Sequence, residues 1–186
     1  MIKDIAIYNR FTMNMFANPS GLNIPHKRWY LISIYGDDSC YVDGKEQVLF
    51  DIGCVKFCSF LFWDITDKIY DDIKEKFPQA VLFSEDHAKT IVSFLDEIKK
   101  DDQDFDLVVH CSAGISRSGA VGTFACDYFG LNYEKFLWKN PYIMANPYVL
   151  RTLRRVAGMT PDFGKHDGID HKNENDGVIV VPRAVK

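Results

Sequence analysis

The residues best able to do chemistry lie in one short stretch, His110 to Gly119, with the sequence HCSAGISRSG. In it, Cys111 is followed after five mostly small residues by Arg117 and then by a hydroxyl, Ser118. A cysteine thiolate is a strong nucleophile, and a guanidinium presents a planar fork that matches two oxygens of a phosphate. The combination indicates nucleophilic attack on a phosphate ester.

The flanking sequence predicts how this stretch is positioned. Residues 105–109 are mostly apolar and predict a short buried strand, and apolar residues at helical spacing follow residue 119. The stretch would then join a strand to the first turn of a helix, where free backbone N–H groups and the helix dipole favour an anion. Small residues allow those N–H groups to converge on a tetrahedral oxyanion. The expected phosphate-binding residues are Ser112, Ala113, Gly114, Ile115, Ser116 and Arg117.

This stretch resembles the signature loop of the protein tyrosine phosphatase superfamily, which reads Cys, five residues, Arg, then Ser or Thr. The sequence HCSAG is typical of its phosphotyrosine enzymes. The resemblance covers about residues 2–158. The chain length is closer to the small dual-specificity-type phosphatases than to the larger tyrosine-specific domains. The resemblance implies an α/β fold, with a central, mostly parallel sheet of four or five strands flanked by helices.

The resemblance also implies roles for residues of the loop. Cys111 would attack phosphorus and form a cysteinyl-phosphate, while Arg117 and the loop N–H groups would hold the equatorial oxygens. Ser118 would donate a hydrogen bond to the thiolate, although an ordinary early-helix hydroxyl is the alternative. His110 is expected to shape the loop rather than to act as a base. We expect no metal ion and no cofactor.

Such a mechanism needs a carboxylic acid that protonates the departing oxygen. In the family this is an Asp on a mobile loop after a strand, and Asp64 at the end of Leu61-Phe62-Trp63-Asp64-Ile65 resembles it. The proline common before this Asp is missing here. Asp64 is therefore the first candidate and Asp67 the second, with Asp71 and Asp72 left open.

Other patterns predict the organisation of the chain. Strands alternate with helices, which favours a parallel sheet with helices on both faces. Ser84 is the expected N-cap of a long helix, Gly130 ends the helix after the loop, and Asn146-Pro147 opens a last helix. We expect one catalytic domain over residues 1–160 and a polar tail over residues 161–186.

Composition excludes several classes of protein. The chain has 186 residues, 47% hydrophobic content and a net charge of -4, which argue against general disorder and against a broad nucleic-acid-binding surface. No apolar run is long enough to span a membrane, so membrane insertion is not expected. Asp4 and Arg10 interrupt the opening stretch, where a signal peptide needs an unbroken apolar run, so no signal peptide is expected. Five cysteines without regular spacing suit reduced thiols and a cytoplasmic location.

Three remaining cysteine and arginine features have structural interpretations. Cys54 and Cys58 are four residues apart and would share one face of a strand, where core packing is favoured over a zinc site. Cys126 lies off the apolar stripe of its helix and is expected to be partly exposed. The cluster on the last helix is interpreted as a solvated face, and it consists of Arg151, Arg154 and Arg155.

The leading functional hypothesis is a metal-independent protein phosphatase acting on phosphotyrosine, with phosphoserine and phosphothreonine as further candidates. Its partner would be a phosphorylated protein; the sequence does not determine the oligomeric state. A phosphatase of phosphoinositides or RNA 5′-phosphates is the alternative, but phosphoinositide members usually carry lysines in the loop. Here Ala113 and Ile115 suit a flat aromatic ring instead. A phosphotyrosine-binding protein without catalysis is the third hypothesis; the presence of Cys111, Arg117 and acid candidates weighs against it.

Overall fold

The computed structural model describes residues 1–16, 28–36, 49–50 and 53–159. Within these ranges the strands are β1 (Ile2–Asn9), β2 (Trp29–Tyr35), β3 (Cys54–Leu61) and β4 (Phe105–Cys111). The helices are α1 (Arg10–Phe16), α2 (Tyr70–Lys76), α3 (Glu85–Ile98), α4 (Arg117–Phe129), α5 (Tyr133–Lys139) and α6 (Pro147–Val156), with a short 3₁₀ helix at Asp67–Ile69. The polar tail expected over residues 161–186 lies outside the described residues.

The strands form one sheet in the order β1-β4-β2-β3, and every pairing is parallel. The prediction of an α/β fold with a central parallel sheet is confirmed. In a parallel sheet the carboxyl ends of all strands meet at the same edge. The segments that follow β3 and β4, which contain Asp64 and the HCSAGISRSG loop, therefore begin at one edge of the sheet.

Helices cover both faces of the sheet, as expected. The larger core contains inward side chains of α3, α4 and α6, among them Ile91, Phe124 and Leu153, packed on strand residues such as Val109. A smaller core on the other face packs Met13 of α1 and Leu49 against β2 and β4. In the described ranges, no helix combines the length and apolar character needed to cross a membrane.

The helix ends follow the predicted capping residues. Ser84 caps α3 by accepting a hydrogen bond from the backbone N–H of His87, whose ring in turn accepts from the Ser84 N–H. Gly130 ends α4 in the left-handed conformation at φ 65°, which glycine adopts without steric cost. Asn146 caps α6, and Pro147 occupies its first turn.

The prediction that Cys54 and Cys58 share one face of their strand is wrong. The register of β2 with β3 shifts between Trp29 and Tyr30. Trp29 pairs with Cys54, and the next residue, Tyr30, pairs with Lys56, so that β3 has one extra residue between the two pairs. This extra residue in β3 is a β-bulge, which reverses the side-chain alternation beyond it. Cys54 therefore lies in the smaller core and Cys58 packs against the larger one.

Two exposure predictions are also wrong. Cys126 is fully buried, because α4 lies between the sheet and neighbouring helices and is buried on all sides over its first ten residues. Arg154 is buried as well, where its guanidinium donates to Asp127 at 2.7 Å. Arg151 and Arg155 of the same cluster are exposed, as predicted, and form surface ion pairs.

Candidate active site

The loop between β4 and α4 surrounds the thiol of Cys111. This residue is the last of β4 and is buried, and its Sγ lies 3.1 Å from the hydroxyl oxygen of Ser118. The backbone N–H of Gly114 also donates to Sγ, at 3.3 Å. The thiol therefore lies at the N-terminus of α4, in contact with the hydroxyl of Ser118 and the backbone N–H of Gly114.

The loop can adopt this shape because residue 114 is a glycine. Gly114 has φ 71°, a conformation that L side chains rarely adopt. A Cβ at this position would lie 2.6 Å from the backbone nitrogen of Asn9 and 2.7 Å from the carbonyl carbon of Tyr8. The end of β1 thus packs directly against the loop, and the backbone N–H of Arg10 donates to the carbonyl of Ser112 at 3.2 Å.

Arg117 is a buried cation at the first residue of α4, only 8% exposed. Its guanidinium donates to the carbonyl of Phe62 at 3.0 Å and to the Ser112 hydroxyl at 3.1 Å, while its Nε is buried without a hydrogen-bond partner. Among the described residues, no carboxylate forms an ion pair with it. A buried charge without a counter-charge is costly. The arrangement is thus suited to an anion bound in the loop.

Asp64 lies over the same loop. The Ser116 hydroxyl donates to its Oδ1 at 2.8 Å, and the side-chain amide of Asn146 donates to the same oxygen at 2.9 Å. Asp64 itself is exposed to solvent. The structure therefore brings the first acid candidate to the loop, although its catalytic role stays a prediction.

The other acid candidates have different surroundings. Asp67 lies in the 3₁₀ helix and pairs with Arg151 at 3.4 Å, with both side chains about half exposed. Asp71 and Asp72 are exposed residues in the first turn of α2. None of these three shows a hydrogen bond to the loop between β4 and α4 in the described part of the chain.

The remaining predicted residues occupy the loop and the strand before it. His110 is fully buried on β4, directly opposite Ser33 of β2, which is compatible with a role in shaping the loop. Ala113 and Ile115 are exposed, so their side chains form the rim of the loop. The carbonyl of Ile115 accepts from the backbone N–H of Met144, which attaches the loop to the segment before α6.

The described cysteines away from the loop, Cys54, Cys58 and Cys126, are unsuited to nucleophilic chemistry. Burial raises the pKa of the Cys54 thiol and of the Cys126 thiol to about 12, and it also raises the pKa of Cys58. At neutral pH these groups stay protonated, and a protonated thiol is a poor nucleophile.

Sequence reasoning missed the participation of Asn146, which it had assigned only to a helix start. It also missed the link from Arg117 to the carbonyl of Phe62. Both contacts join parts of the chain more than 50 residues apart. The Asn-Pro pair identifies a helix cap but carries no information about what the free amide group reaches.

The middle of the chain matches a known protein family. Residues 80–137 match the model of the family described as protein-tyrosine phosphatase, a segment that includes α3, β4, the loop and α4. The resemblance to the protein tyrosine phosphatase superfamily is confirmed. Among solved structures, the chain is similar to one described as "Crystal structure of Tk-PTP in the active form". That match has a TM-score of 0.46 and 14% identity and covers 86% of this chain and 92% of the other. A search of curated proteins finds no significant match.

We expect Gly114→Ala to destroy the shape of the loop between β4 and α4. The added methyl group meets backbone atoms of β1 that cannot move aside, whereas a Cβ at Gly130, with a similar φ of 65°, meets nothing within 4 Å. Gly130→Ala is therefore the matched control, with the same left-handed strain of about 1–2 kcal/mol but no clash.

The measurement is binding of inorganic vanadate together with thermal unfolding. Gly114→Ala should lose vanadate binding at a temperature where it is still folded, and Gly130→Ala should retain it. Equal vanadate affinity in both variants would contradict the described loop geometry.

Proposed function

We propose that the protein is a cysteine-dependent phosphatase of the small dual-specificity type that hydrolyses phosphotyrosine in proteins. The observation that carries the proposal is the buried guanidinium of Arg117, without a carboxylate partner in the described chain, in the same loop as the buried thiol of Cys111. A dianionic phosphate supplies the missing negative charge and lies in reach of the nucleophile. The proposed catalytic domain comprises residues 1–160.

In the first step, the Cys111 thiolate attacks phosphorus opposite the ester oxygen. The P–O bond breaks as the S–P bond forms, and Asp64 gives its proton to the departing oxygen. The guanidinium of Arg117 and the N–H groups of residues 112–117 stabilise charge on the three equatorial oxygens. The product alcohol leaves, and a cysteinyl-phosphate remains.

In the second step, water attacks phosphorus and the Asp64 carboxylate accepts its proton. The S–P bond breaks and returns the thiolate, and inorganic phosphate leaves. The hydroxyl of Ser118, 3.1 Å from Sγ, donates to the thiolate and makes it a better leaving group. Every proton transfer is accounted for by side chains of the described site and by water.

The rim of the loop supports the proposed substrate class. Ala113 and Ile115 are exposed and uncharged, and the loop contains no lysine to bind the additional phosphates of an inositol lipid. An apolar rim favours the flat ring of phosphotyrosine, and a phosphorylated protein is the proposed partner. The nucleophile must stay reduced, which is compatible with the proposed cytoplasmic location.

The proposed specificity and nucleophile are tested with a panel of phosphotyrosine, phosphoserine, phosphoinositide and RNA 5′-phosphate substrates. We expect phosphotyrosine peptides to be hydrolysed best, and activity to persist in EDTA. Cys111→Ser should abolish turnover while substrate binding remains, because only the nucleophile is removed.

Cys58→Ser, which changes a thiol remote from the loop, serves as the control and should keep wild-type turnover. The proposal fails if Cys111→Ser retains activity within about tenfold of wild type, or if a non-protein phosphate ester is the preferred substrate.

The acid assignment is tested by comparing Asp64→Asn with Asp67→Asn. Loss of the proton donor should lower kcat on the order of 10²–10⁴-fold and remove the basic limb of the pH–rate profile. The loss should shrink for aryl phosphates whose leaving group is a weak base, since such a group needs no proton.

Asp67→Asn, which removes only a surface pair with Arg151, should keep both the rate and the basic limb. If Asp67→Asn removes the basic limb and Asp64→Asn does not, the acid is Asp67 and the assignment to Asp64 is wrong.

A further inference from the structure

We propose that Asn146 is a positioning residue for the proposed reaction, which holds the Asp64 carboxylate over the phosphate loop with one oxygen left to carry the proton. This inference rests on the proposed function. Asn146 is 5% exposed and lies directly before α6, far from Asp64 in the sequence. Its backbone N–H, its side-chain Oδ1 and its side-chain Nδ2 all form hydrogen bonds.

The first two engagements fix the residue itself. Its backbone N–H donates to the carbonyl of Ser116 at 3.1 Å, which attaches Asn146 to the loop between β4 and α4. Its side-chain Oδ1 accepts from the backbone N–H groups of Tyr148 at 3.0 Å and Val149 at 3.2 Å, which caps α6. Because Oδ1 is committed to the helix, the planar amide cannot turn over without losing the cap.

The third engagement acts on the proposed acid. With Oδ1 held by the helix, the Nδ2 group points away from it and donates to Oδ1 of Asp64 at 2.9 Å, with a longer contact to the carbonyl of Ile65 at 3.4 Å. The hydroxyl of Ser116 donates to the same carboxylate oxygen at 2.8 Å. Two donors from two different elements therefore restrain one oxygen of Asp64.

This arrangement distinguishes the two oxygens of the carboxylate. A proton on Oδ1 would face two groups that already donate to it, so the proton of the acid form resides on Oδ2. In the described part of the chain, no hydrogen bond engages Oδ2. The restrained oxygen orients the carboxyl group, and the other oxygen is available to the leaving group and then to water. In this proposal Asn146 contacts neither the leaving group nor the attacking water, and it acts through Asp64.

The test uses Asn146→Ser, because serine is also a good N-cap but lacks the amide donor. We expect kcat/KM for alkyl and weakly acidic aryl phosphates to fall roughly 10- to 10²-fold, the penalty typical of a misplaced catalytic group. The loss should shrink for aryl phosphates with weakly basic leaving groups. The matched control is Asn132→Ser, since Asn132 caps α5 by accepting from Lys135 at 2.7 Å. That control should keep the wild-type rate.

A second variant guards against an effect on folding. Asn146→Asp keeps the size and the cap acceptor but places an acceptor against Asp64, and it should lose at least as much activity as Asn146→Ser. Both variants are compared at a temperature where thermal unfolding shows them to be folded. If Asn146→Asp has the wild-type rate, the donated hydrogen bond is irrelevant and the inference is overturned.

A double-mutant cycle separates positioning from general damage. If Asn146 acts through Asp64, then Asp64→Asn combined with Asn146→Ser should be no slower than Asp64→Asn alone. Additive losses, independent of the leaving group, would overturn the inference. The proposed function fails separately, if the wild type does not hydrolyse phosphotyrosine or if Cys111→Ser remains active. With those two results as expected, equal rates for Asn146→Ser and Asn132→Ser would reject only the positioning role.

Discussion

A buried positive charge that the described chain does not neutralise is the constraint on which the site depends. Arg117 is almost fully buried, and its guanidinium donates to a hydroxyl and a carbonyl of the described chain rather than to a carboxylate. Holding a guanidinium in this way costs folding free energy, because its charge loses water without gaining a counter-charge. In our account the phosphate of the substrate provides that counter-charge, and it does so next to the only thiol of the loop. In this account, catalysis depends on a buried guanidinium that the described chain holds without a counter-charge until the phosphate binds.

The sheet makes this arrangement possible. Because β3 and β4 are parallel members of one sheet, the carbonyl of Phe62 after β3 reaches the guanidinium that begins α4. Two residues further along the chain is Asp64, which is thereby delivered to the same loop. The proposed nucleophile, the proposed anion-binding group and the proposed acid thus depend on the carboxyl ends of β3 and β4 lying at the same edge of the sheet. A glycine at residue 114 allows the backbone at the end of β1 to pack directly against the loop.

Local patterns in the sequence were enough to predict the elements around the site. The strand before Cys111, the helix after Arg117 and the ends marked by Ser84 and Gly130 depend on neighbouring residues, so periodicity and capping rules identify them. Helix α1 was not anticipated, since polar and apolar residues alternate over most of its seven residues, a pattern typical of a strand. The motif likewise predicted a loop between a strand and a helix around Cys111, because the proposed chemistry requires residue types at fixed spacing.

What the sequence did not predict depends on contacts between distant segments. The β-bulge that separates Cys54 from Cys58 is visible only in the pairing of β2 with β3. The burial of Cys126 follows from the central place of α4, which no single helix pattern reveals. Similarly, the link from Asn146 to Asp64 requires α6 to begin beside the loop. The side chain that completes a site is hardest to predict when its local role, here a helix cap, already explains its presence.

The central claim, that Cys111 takes the phosphoryl group from a phosphotyrosine substrate, is tested most directly by trapping the intermediate. Turnover of a phosphotyrosine peptide is stopped by rapid denaturation, and the protein is mapped by peptide mass spectrometry. The account predicts a single phosphoryl group on the peptide that contains Cys111, formed before the release of inorganic phosphate and absent from Cys111→Ser. A phosphoryl group on any other residue, or turnover by an active enzyme with no labelled peptide at any time, would contradict it.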